Sequence, residues 1–348
     1  MAGHDLRVGI IGVGMMGADH AQRLAERTAN ASLVAVCDPD APRAQSLAEK
    51  FDRVRAIADP AALIADDEVD AVLIASPGFV HTEQLLGCIA AGKPTLCEKP
   101  MTMDTDSSLQ VLKAERDAGK ALIQIGFMRR FDPEYVQMKA MLDAGQFGRT
   151  LLLHNTHRNK GMPNAEFRSE MIIRDSLVHE VDVARFIFGQ EIVAVQVLSP
   201  APTSYSALGV VDPQLAIFHM AGGAIVTNEV FVSSEVGYEV RCEAVAERGT
   251  VIVGQPQAQL YTTSAVGAAG AWGGRIPDDY RERFALAYDL EIQAWADSAR
   301  RGEVVGPNSW DGYAATAVCT AALQSLASGH QVAVELTDRM SVLGPAPA

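Results

Sequence analysis

A short apolar run, Leu6 to Ile11, leads directly into the segment Gly12-Val13-Gly14-Met15-Met16-Gly17. The run suits a buried strand, and the glycines have the spacing of a tight turn into a helix. Gly12 serves the turn, Gly14 lets a pyrophosphate approach the backbone, and Gly17 lets the helix pack closely. The N–H groups and positive dipole end of that helix attract phosphate. This context predicts a dinucleotide site, and its expected contacts are Gly12, Gly14, Met15, Met16 and Gly17.

The next predicted strand, Leu33 to Cys37, ends in an acidic residue, Asp38. It lies about twenty residues past the glycines, where a carboxylate accepts hydrogen bonds from both ribose hydroxyls. The same charge repels a 2′-phosphate, and Pro39 offers no basic group to bind one. Arg43 could reach such a phosphate, although a solvated helix face explains it more simply. The sequence therefore predicts NAD rather than NADP.

The strand–helix pattern repeats, and a buried strand from Ala71 to Ala75 ends in Ser76-Pro77. This pair forms either a wall for the nicotinamide ribose or a turn that caps the helix beginning near His81. The residue types alone do not separate these two readings. We retain Ser76, Pro77 and His81 as candidate cofactor contacts.

The strand Pro94 to Cys97 delivers Glu98-Lys99-Pro100. In open α/β sheets, ligands bind outside the carboxyl ends of the strands. Lys99 is therefore expected where cofactor and substrate meet, and Glu98 beside the cofactor. Alternating strands and helices predict a right-handed, doubly wound parallel sheet of the Rossmann type for residues 1–126.

Charge and composition exclude several classes of partner. The 348 residues are enough for two domains, and the formal net charge of −14 would repel a nucleic-acid backbone. No apolar run reaches the length of a membrane span, and no secretory signal is visible. The five cysteines are scattered without Cys-x-x-Cys spacing, which is typical of buried thiols in a reducing compartment. We expect a cytoplasmic protein with a small-molecule partner, no nucleic acid and no membrane.

Residues 127–348 have a different pattern from the first 126. A helix is predicted over Pro133 to Asp143, followed by segments rich in β-branched and aromatic residues. They predict an α+β domain with a large, mostly antiparallel open sheet, whose apolar open face suggests subunit packing. The candidate strands are Thr150 to Arg158, Ile192 to Leu198, Leu215 to Met220, Ala224 to Val232 and Tyr238 to Ala246. The loops over residues 160–169 and 265–274 match no motif that we could interpret.

A helix is also predicted over Arg174 to Phe188, and it carries two candidate catalytic side chains. Asp175 and His179 are four residues apart, so an α-helix would project both from one face. An aspartate can orient a histidine, and a histidine can exchange a hydroxyl proton near neutral pH. Spacing alone favours the simpler reading, an exposed pair that supports the helix.

A metal site is not predicted. His154 and His157 lack the intervening glutamate and the spacing of a helical zinc site, and they lie on a predicted strand. His179-Glu180 has no second histidine three residues further on.

Taken together, these segments resemble the glucose–fructose oxidoreductase and inositol dehydrogenase family. The resemblance rests on the glycine motif, the acidic end of the second strand and Glu98-Lys99-Pro100. It continues through five later segments, namely Gln124 to Pro133, His154 to Asn159, Asp175 to Asp182, Ala287 to Glu291 and Trp310 to Tyr313. The last two are similar to the inositol 2-dehydrogenase branch. The match spans nearly the whole chain.

The resemblance implies roles for residues that spacing leaves open. Lys99, Asp175 and His179 match the family's catalytic positions, and the motif lysine there lies beside nicotinamide and the reacting hydroxyl. His157 and Asn159, which alternate onto one side of a strand, match substrate-hydroxyl contacts. Arg129 and Tyr238 are weaker candidates, since the arginine could pair with a carboxylate and the tyrosine could belong to the core. The implied substrate-binding set is Lys99, Arg129, His157, Asn159, Asp175, His179 and Tyr238.

The implied activity is NAD-dependent oxidation of a cyclic polyol in inositol catabolism, by a homotetramer with its sheets packed face to face. The first hypothesis is myo-inositol to 2-keto-inositol, with scyllo-inositol, chiro-inositol or a pyranose sugar as alternatives. A non-catalytic dinucleotide sensor is the alternative of a different class, because a nucleotide fold does not by itself imply chemistry. The joint presence of Lys99, Asp175 and His179 favours the enzyme.

Overall fold

The computed structural model describes residues 5–162, 164, 166–254 and 276–343. The 265–274 loop lies outside these residues. The chain divides into two compact units, and the second comprises Arg129–Ala285 and Ala317–Glu335. The first comprises Met1–Met128, Leu286–Thr316 and Leu336–Ala348. The predicted boundary after residue 126 placed the last two segments in the second domain, whereas the structure groups them with the first unit.

The first unit is built on a parallel sheet. Its strands are β1 (Leu6–Ile11), β2 (Ala31–Cys37), β3 (Arg55–Ile57), β4 (Ala71–Ile74), β5 (Thr95–Cys97) and β6 (Ile123–Ile125). The helices between them are α1 (Met15–Glu26), α2 (Ala41–Ala48), α3 (Pro60–Ala65), α4 (His81–Ala90) and α5 (Thr105–Ala118). A 3-10 helix, Gly78–Val80, precedes α4. Aspartates 40, 59 and 104 cap α2, α3 and α5 by accepting a backbone N–H, which satisfies donors that a helix start leaves unpaired.

The strand order is β3-β2-β1-β4-β5-β6. Successive strands are added on one side of β1 as far as β3 and on its other side from β4 onward, so the order reverses between β1 and β4. Such a reversal opens a crevice at the carboxyl ends of the two central strands, where ligands of doubly wound sheets bind. Four residues that follow strands lie along this margin, and we call them the carboxyl edge: Gly12, Asp38, Ser76 and Glu98. The predicted Rossmann sheet is confirmed.

In the second unit, helices precede and interrupt an extended sheet. The strands are β7 (Thr150–Arg158), β8 (Ile192–Leu198), β9 (Gln214–Met220), β10 (Ile225–Phe231), β11 (Glu239–Ala246) and β12 (Gly249–Val253). The helices are α6 (Pro133–Asp143), α7 (Ser169–Met171), α8 (Val178–Phe188) and α9 (Tyr280–Arg283). A 3-10 helix, Met128–Phe131, lies before α6, and a π-helix, Ile172–Leu177, lies between α7 and α8.

The C-terminal part of the chain contains α10 (Ala285–Ala299), α11 (Ser309–Ser328), β13 (Val332–Ala333) and α12 (Arg339–Leu343). In the first unit, α10 packs on the parallel sheet, because Ile292 and Trp295 share a buried cluster with Val8 and Leu33. This packing explains why a segment so late in the sequence belongs with the first unit. Among the described residues, no helix is long and apolar enough to cross a membrane.

The sheet of the second unit has the order β12-β11-β7-β10-β9-β8-β13. It is mostly antiparallel, as predicted, with one parallel pair between β7 and β10. The sequence pattern did not identify β12, β13 or the parallel pair, because strand propensity carries no information about the partner strand. Side chains of β9 alternate between buried and half-buried, so the sheet has one covered and one open face.

The predicted continuous helix over Arg174 to Phe188 is corrected by the structure. Residues Ile172–Leu177 form the π-helix, and α8 begins only at Val178. A π-helix closes its hydrogen bonds over five residues, so the four-residue rule for one α-helical face does not apply across it. Apolar spacing did not reveal this, since Ile172, Ile173 and Leu177 are buried in either geometry.

Candidate functional site

The glycine turn of the first unit has the geometry that its spacing predicts. Gly12 has a φ of +88°, a backbone conformation that side chains disfavour, and its N–H donates to the Cys37 carbonyl at 2.7 Å. A Cβ at Gly12 would collide with the Ser76 backbone, and one at Gly17 would overlap the Gly12 carbonyl oxygen. A Cβ at Gly14 would meet nothing within 4 Å among the described residues. Gly12 and Gly17 are therefore required by the fold, whereas space is left open at Gly14.

The N-terminus of α1 fits a dinucleotide phosphate. Gly14 is its N-cap, no side chain caps it, and its first turn holds no acidic residue. The start of α1 thus places N–H groups and the positive dipole end, which favour anions, at the carboxyl edge. Met15 is exposed at the same place. These residues fit the pyrophosphate of NAD, and the contacts predicted for Met15 and Met16 remain predictions.

Asp38 is buried at the end of β2 and helps to hold the turn. Its Oδ2 accepts the Val13 N–H at 2.9 Å, and its Oδ1 accepts the Asp40 N–H at 2.9 Å. Each carboxylate oxygen has two lone pairs, so both retain an acceptor for a ribose hydroxyl. Arg43 lies closer than its solvated-face reading implied, with Nη1 3.6 Å from Asp38 Oδ1 and Nη2 2.8 Å from Asp40 Oδ2. Asp40 therefore holds the Arg43 guanidinium beside Asp38, and the contact of Asp38 with a ribose stays a prediction.

Ser76 and His81 fasten the loops that follow β4 and β5. The Ser76 hydroxyl donates to Gln84 Oε1 at 2.6 Å, and the two ring nitrogens of His81 lie 2.8 Å from the Ser76 carbonyl and 2.9 Å from the Pro100 carbonyl. Burial lowers the pKa of His81, although these carbonyl contacts oppose the shift. Pro77 is the N-cap of the 3-10 helix. The turn reading is thus observed, while cofactor contacts by Ser76, Pro77 and His81 stay predictions.

Glu98 has a partner that the sequence pattern did not reveal. His20, on α1, is 1% exposed, and its Nε2 lies 2.7 Å from Glu98 Oε1. Burial alone would raise the pKa of Glu98, but His20 and the adjacent Lys99 reverse the shift and lower the pKa. The second oxygen, Oε2, accepts the Lys99 backbone N–H at 3.2 Å. Glu98 therefore ties the backbone of Lys99 to the helix that starts at the glycine turn.

In the second unit, four buried side chains form what we call the buried cluster: Arg129, His157, Glu180 and Tyr238. Glu180 has no exposed surface, and the side chains of Arg129 and His157 are 2% and 3% exposed. Arg129 Nη1 is paired with Glu180 Oε1, and His157 Nδ1 lies 3.2 Å from Glu180 Oε2. Burial alone would raise the pKa of Glu180, but Arg129 and His157 lower it to about 2. The carboxylate is therefore ionised and can only accept hydrogen bonds.

The cluster brings together three residues that were predicted to bind substrate. The rings of His157 and Tyr238 are 5.5 Å apart, and those of His157 and His179 are 6.1 Å apart. Burial raises the pKa of the Tyr238 phenol, and the nearby Arg129 guanidinium opposes this shift. The carboxylate pairing that we considered for Arg129 is thus observed, and its contact with a substrate stays a prediction.

Asn159 follows β7 directly. Its carbonyl accepts the Ser234 hydroxyl at 2.7 Å and the Ser234 N–H at 3.1 Å. The Asp212 carboxylate accepts the N–H groups of Val232 and Ser233. These bonds hold the loop after β10 against the end of β7 and fix the backbone of Asn159.

The three candidate catalytic residues lie in different surroundings. Lys99 is half-buried in the first unit, whereas Asp175 is exposed on the π-helix and His179 is 7% exposed on α8. Because the π-helix intervenes, the orientation of His179 by Asp175 stays a prediction. In the part of the chain that the structure describes, no group of three or more His, Cys, Asp or Glu side chains could hold a metal ion.

Comparisons with known proteins cover almost the whole chain. The model of the Oxidoreductase family, NAD-binding Rossmann fold, matches residues 6–127, and that of the GFO/IDH/MocA C-terminal domain matches residues 135–252. The chain is 49% identical over 345 residues to inositol 2-dehydrogenase 1 of Mycolicibacterium vanbaalenii, covering 98% of this chain and 99% of that protein. It is 48% identical over 356 residues to inositol 2-dehydrogenase of Rhodococcus jostii, covering 99% and 97%.

A solved structure, myo-inositol dehydrogenase from Lactobacillus casei in complex with NAD(H) and myo-inositol, matches with a TM-score of 0.89. It is 29% identical, and the match covers 97% of this chain and 99% of that chain. Scyllo-inositol dehydrogenase from the same species, at 23% identity and a TM-score of 0.84 over 95% and 99% of the two chains, shares the fold.

Proposed function

The chain belongs to the GFO/IDH/MocA oxidoreductase family, and on that premise we propose that it is an NAD-dependent inositol 2-dehydrogenase. It oxidises myo-inositol to 2-keto-inositol. The observation that carries this proposal is the carboxyl edge, where the glycine turn, Asp38 and Glu98-Lys99 follow β1, β2 and β5 of one parallel sheet. The similarity to inositol 2-dehydrogenases over nearly the full length supports the choice of substrate.

Within the first unit, the backbone and one carboxylate bind the cofactor. The first turn of α1 binds the pyrophosphate, Gly14 gives it room, and Asp38 accepts from the adenosine ribose hydroxyls. The Asp38 charge, already paired with Arg43, discriminates against a 2′-phosphate. When bound, NAD accepts a hydride from the carbinol carbon of the substrate.

Side chains of the protein remove the proton of the reacting hydroxyl and stabilise the negative charge on its oxygen. His179 removes the proton of the reacting hydroxyl as a general base, and Asp175 orients its imidazole. Lys99 donates a hydrogen bond to the same oxygen and stabilises the negative charge that develops there. Glu98 supports this role, because it holds the Lys99 backbone N–H from the side of α1.

Substrate recognition falls to the second unit. His157 and Asn159 contact ring hydroxyls, and Tyr238 packs against the His157 ring to keep it in place. Ring polyols differ only in the orientation of their hydroxyls, so these contacts distinguish myo-inositol from scyllo-inositol, chiro-inositol and glucose.

We also propose that the enzyme is a cytoplasmic homotetramer. Leu152 and Ile225 are paired neighbours on the open face of the second sheet, and Leu215 and Ile217 lie on the same face, all with part of their surface exposed. A second copy packed on this face would bury them. Five free cysteines, all buried, support a reducing compartment.

Sedimentation velocity tests the assembly. Ile217→Glu should dissociate the tetramer into smaller species, whereas Val136→Glu, at an exposed position of α6, should leave the tetramer intact. An unchanged Ile217→Glu assembly would contradict this interface.

The activity is tested by following NADH absorbance with purified protein, NAD and a panel of myo-, scyllo- and chiro-inositol and glucose. We expect the fastest rate with myo-inositol, and a loss of about 100-fold or more in kcat for Lys99→Ala with NAD binding retained. A faster rate with another polyol would change the substrate and keep the mechanism. A folded protein that binds NAD but oxidises none of the panel would overturn the proposed function.

A further inference from the structure

The buried cluster contains an ion pair that the proposed chemistry does not require. Glu180 and Arg129 are both removed from water, and neither was assigned a role in proton transfer. Burying two charges is costly, and such a pair is often replaceable by apolar residues without loss of stability. Both residues of the pair contact His157, and this contact indicates what the pair does.

The contacts of His157 Nδ1 pose a conflict that only one proton position resolves well. This atom lies 3.2 Å from Glu180 Oε2, which can only accept, and 3.3 Å from Arg129 Nη2, which can only donate. If Nδ1 carries the proton it donates to the carboxylate, and if it does not it accepts from the guanidinium. One ring nitrogen cannot do both.

The alternative partners decide between the two arrangements. Arg129 has another acceptor, since its Nη1 is already paired with Glu180 Oε1. Among the described residues, the hydrogen-bond partner of Glu180 Oε2 is His157 Nδ1. An unprotonated Nδ1 would leave an anionic oxygen buried without a donor, which is the costlier outcome. A protonated Nδ1 gives it a charge-assisted hydrogen bond.

We propose that Glu180, held by Arg129, is a positioning residue that keeps a proton on His157 Nδ1 and so presents Nε2 as a hydrogen-bond acceptor to a substrate hydroxyl. This inference rests on the proposed function, because it takes His157 as a substrate contact. A hydroxyl of the polyol donates to Nε2, and the opposite tautomer would place two donors against each other. Tyr238 and His179, whose rings flank the imidazole, limit its rotation.

The tautomer can be measured without any turnover. The chain has eight histidines, so ¹⁵N-histidine labelling gives few signals, and His157→Gln identifies those of His157. We expect a protonated Nδ1 and an unprotonated Nε2 in the wild type. In Glu180→Gln the amide can donate to Nδ1, and the proton should move to Nε2. A wild-type ring protonated on Nε2 would overturn the proposal.

Kinetics supply the second readout. Glu180→Gln should raise the KM for myo-inositol roughly tenfold and leave the KM for NAD unchanged. The double variant Arg129→Gln/Glu180→Gln, in which no charge is left unpaired, covers the case that the single variant does not fold. It should show the same rise in KM. Glu180→Asp, which keeps the carboxylate, should recover part of it.

Asp182→Asn is the matched control, because Asp182 is a buried carboxylate on the same helix, paired with Arg130. It should lower stability and leave both the His157 tautomer and the KM for myo-inositol unchanged. Equal shifts in Asp182→Asn would assign the effect to general destabilisation and overturn the proposal. If the wild type holds the expected tautomer but oxidises no polyol, the proposed function fails, and with it the substrate part of this inference. The structural role of Glu180 would then stand.

Discussion

The carboxyl edge of the first unit and the buried cluster of the second are built in different ways. At Gly12 the edge adjoins a region made mainly of backbone, namely the glycine turn, the open space at Gly14 and the N-terminus of α1, which no side chain caps. The cluster is held together by charged side chains, and Glu180 lies 23 residues from His157 and 51 residues from Arg129 in the sequence. A backbone site is encoded by residues that are neighbours in the sequence, whereas a charge site depends on the tertiary fold. The two regions should therefore respond differently to substitution.

The largest effect is expected in the buried cluster. Arg129→Met leaves the Glu180 carboxylate buried without its cation and should lower the free energy of unfolding by about 3–5 kcal/mol. Arg129→Met/Glu180→Gln removes both charges and should recover most of the loss. Urea unfolding of the three proteins measures this. If the double variant were as unstable as the single one, packing rather than charge would hold the cluster.

At the carboxyl edge, the neighbouring glycines should separate stability from cofactor binding. Gly17→Ala forces a Cβ into the Gly12 carbonyl and should cost about 3 kcal/mol of stability, together with NAD affinity. Gly14→Ala meets no atom within 4 Å among the described residues, so it should keep wild-type stability and weaken NAD binding alone. Thermal unfolding and NAD titration distinguish the two. Unchanged NAD affinity in Gly14→Ala would contradict the placement of the pyrophosphate.

Stability at low pH should distinguish the buried cluster from the carboxyl edge. The pKa of Glu180 is lowered to about 2 from an ordinary value of 4.5, so its contribution to stability is complete above pH 4.5. The contribution is lost as the pH falls toward 2, and its size is about 3 kcal/mol. Unfolding free energies measured across this window should fall more steeply for the wild type than for Arg129→Met/Glu180→Gln. Parallel curves would show that Glu180 is not the titrating group.

The smallest effect concerns cofactor choice. Asp38→Ser removes the charge that repels a 2′-phosphate and one of the two carboxylates beside Arg43, which stays paired with Asp40. The preference for NAD over NADP should fall about tenfold, which corresponds to about 1.4 kcal/mol. Adding Arg43→Ala should remove any gain in NADP affinity. Full discrimination against NADP in Asp38→Ser would show that Asp38 does not face the ribose.

Prediction from sequence worked best where the pattern is local. The glycine turn and β1, β7, β8 and α6 have the predicted bounds, because apolar periodicity and glycine spacing act within a few residues. The His20–Glu98 contact was missed, since nothing in the sequence of α1 indicates which helix face meets β5. Glu180 was also missed, although a charged residue inside the apolar segment Val178–Phe188 is a usable signal of a buried partner. The π-helix has no apolar signature and could not be anticipated.

The account as a whole assigns the cofactor to the carboxyl edge and the polyol to the buried cluster. Steady-state kinetics with NAD and myo-inositol varied independently, on Gly14→Ala and His157→Gln, test this assignment most directly. We expect Gly14→Ala to raise the KM for NAD alone and His157→Gln to raise the KM for myo-inositol alone. A rise in the NAD KM for His157→Gln, or an unchanged myo-inositol KM in that variant, would contradict it.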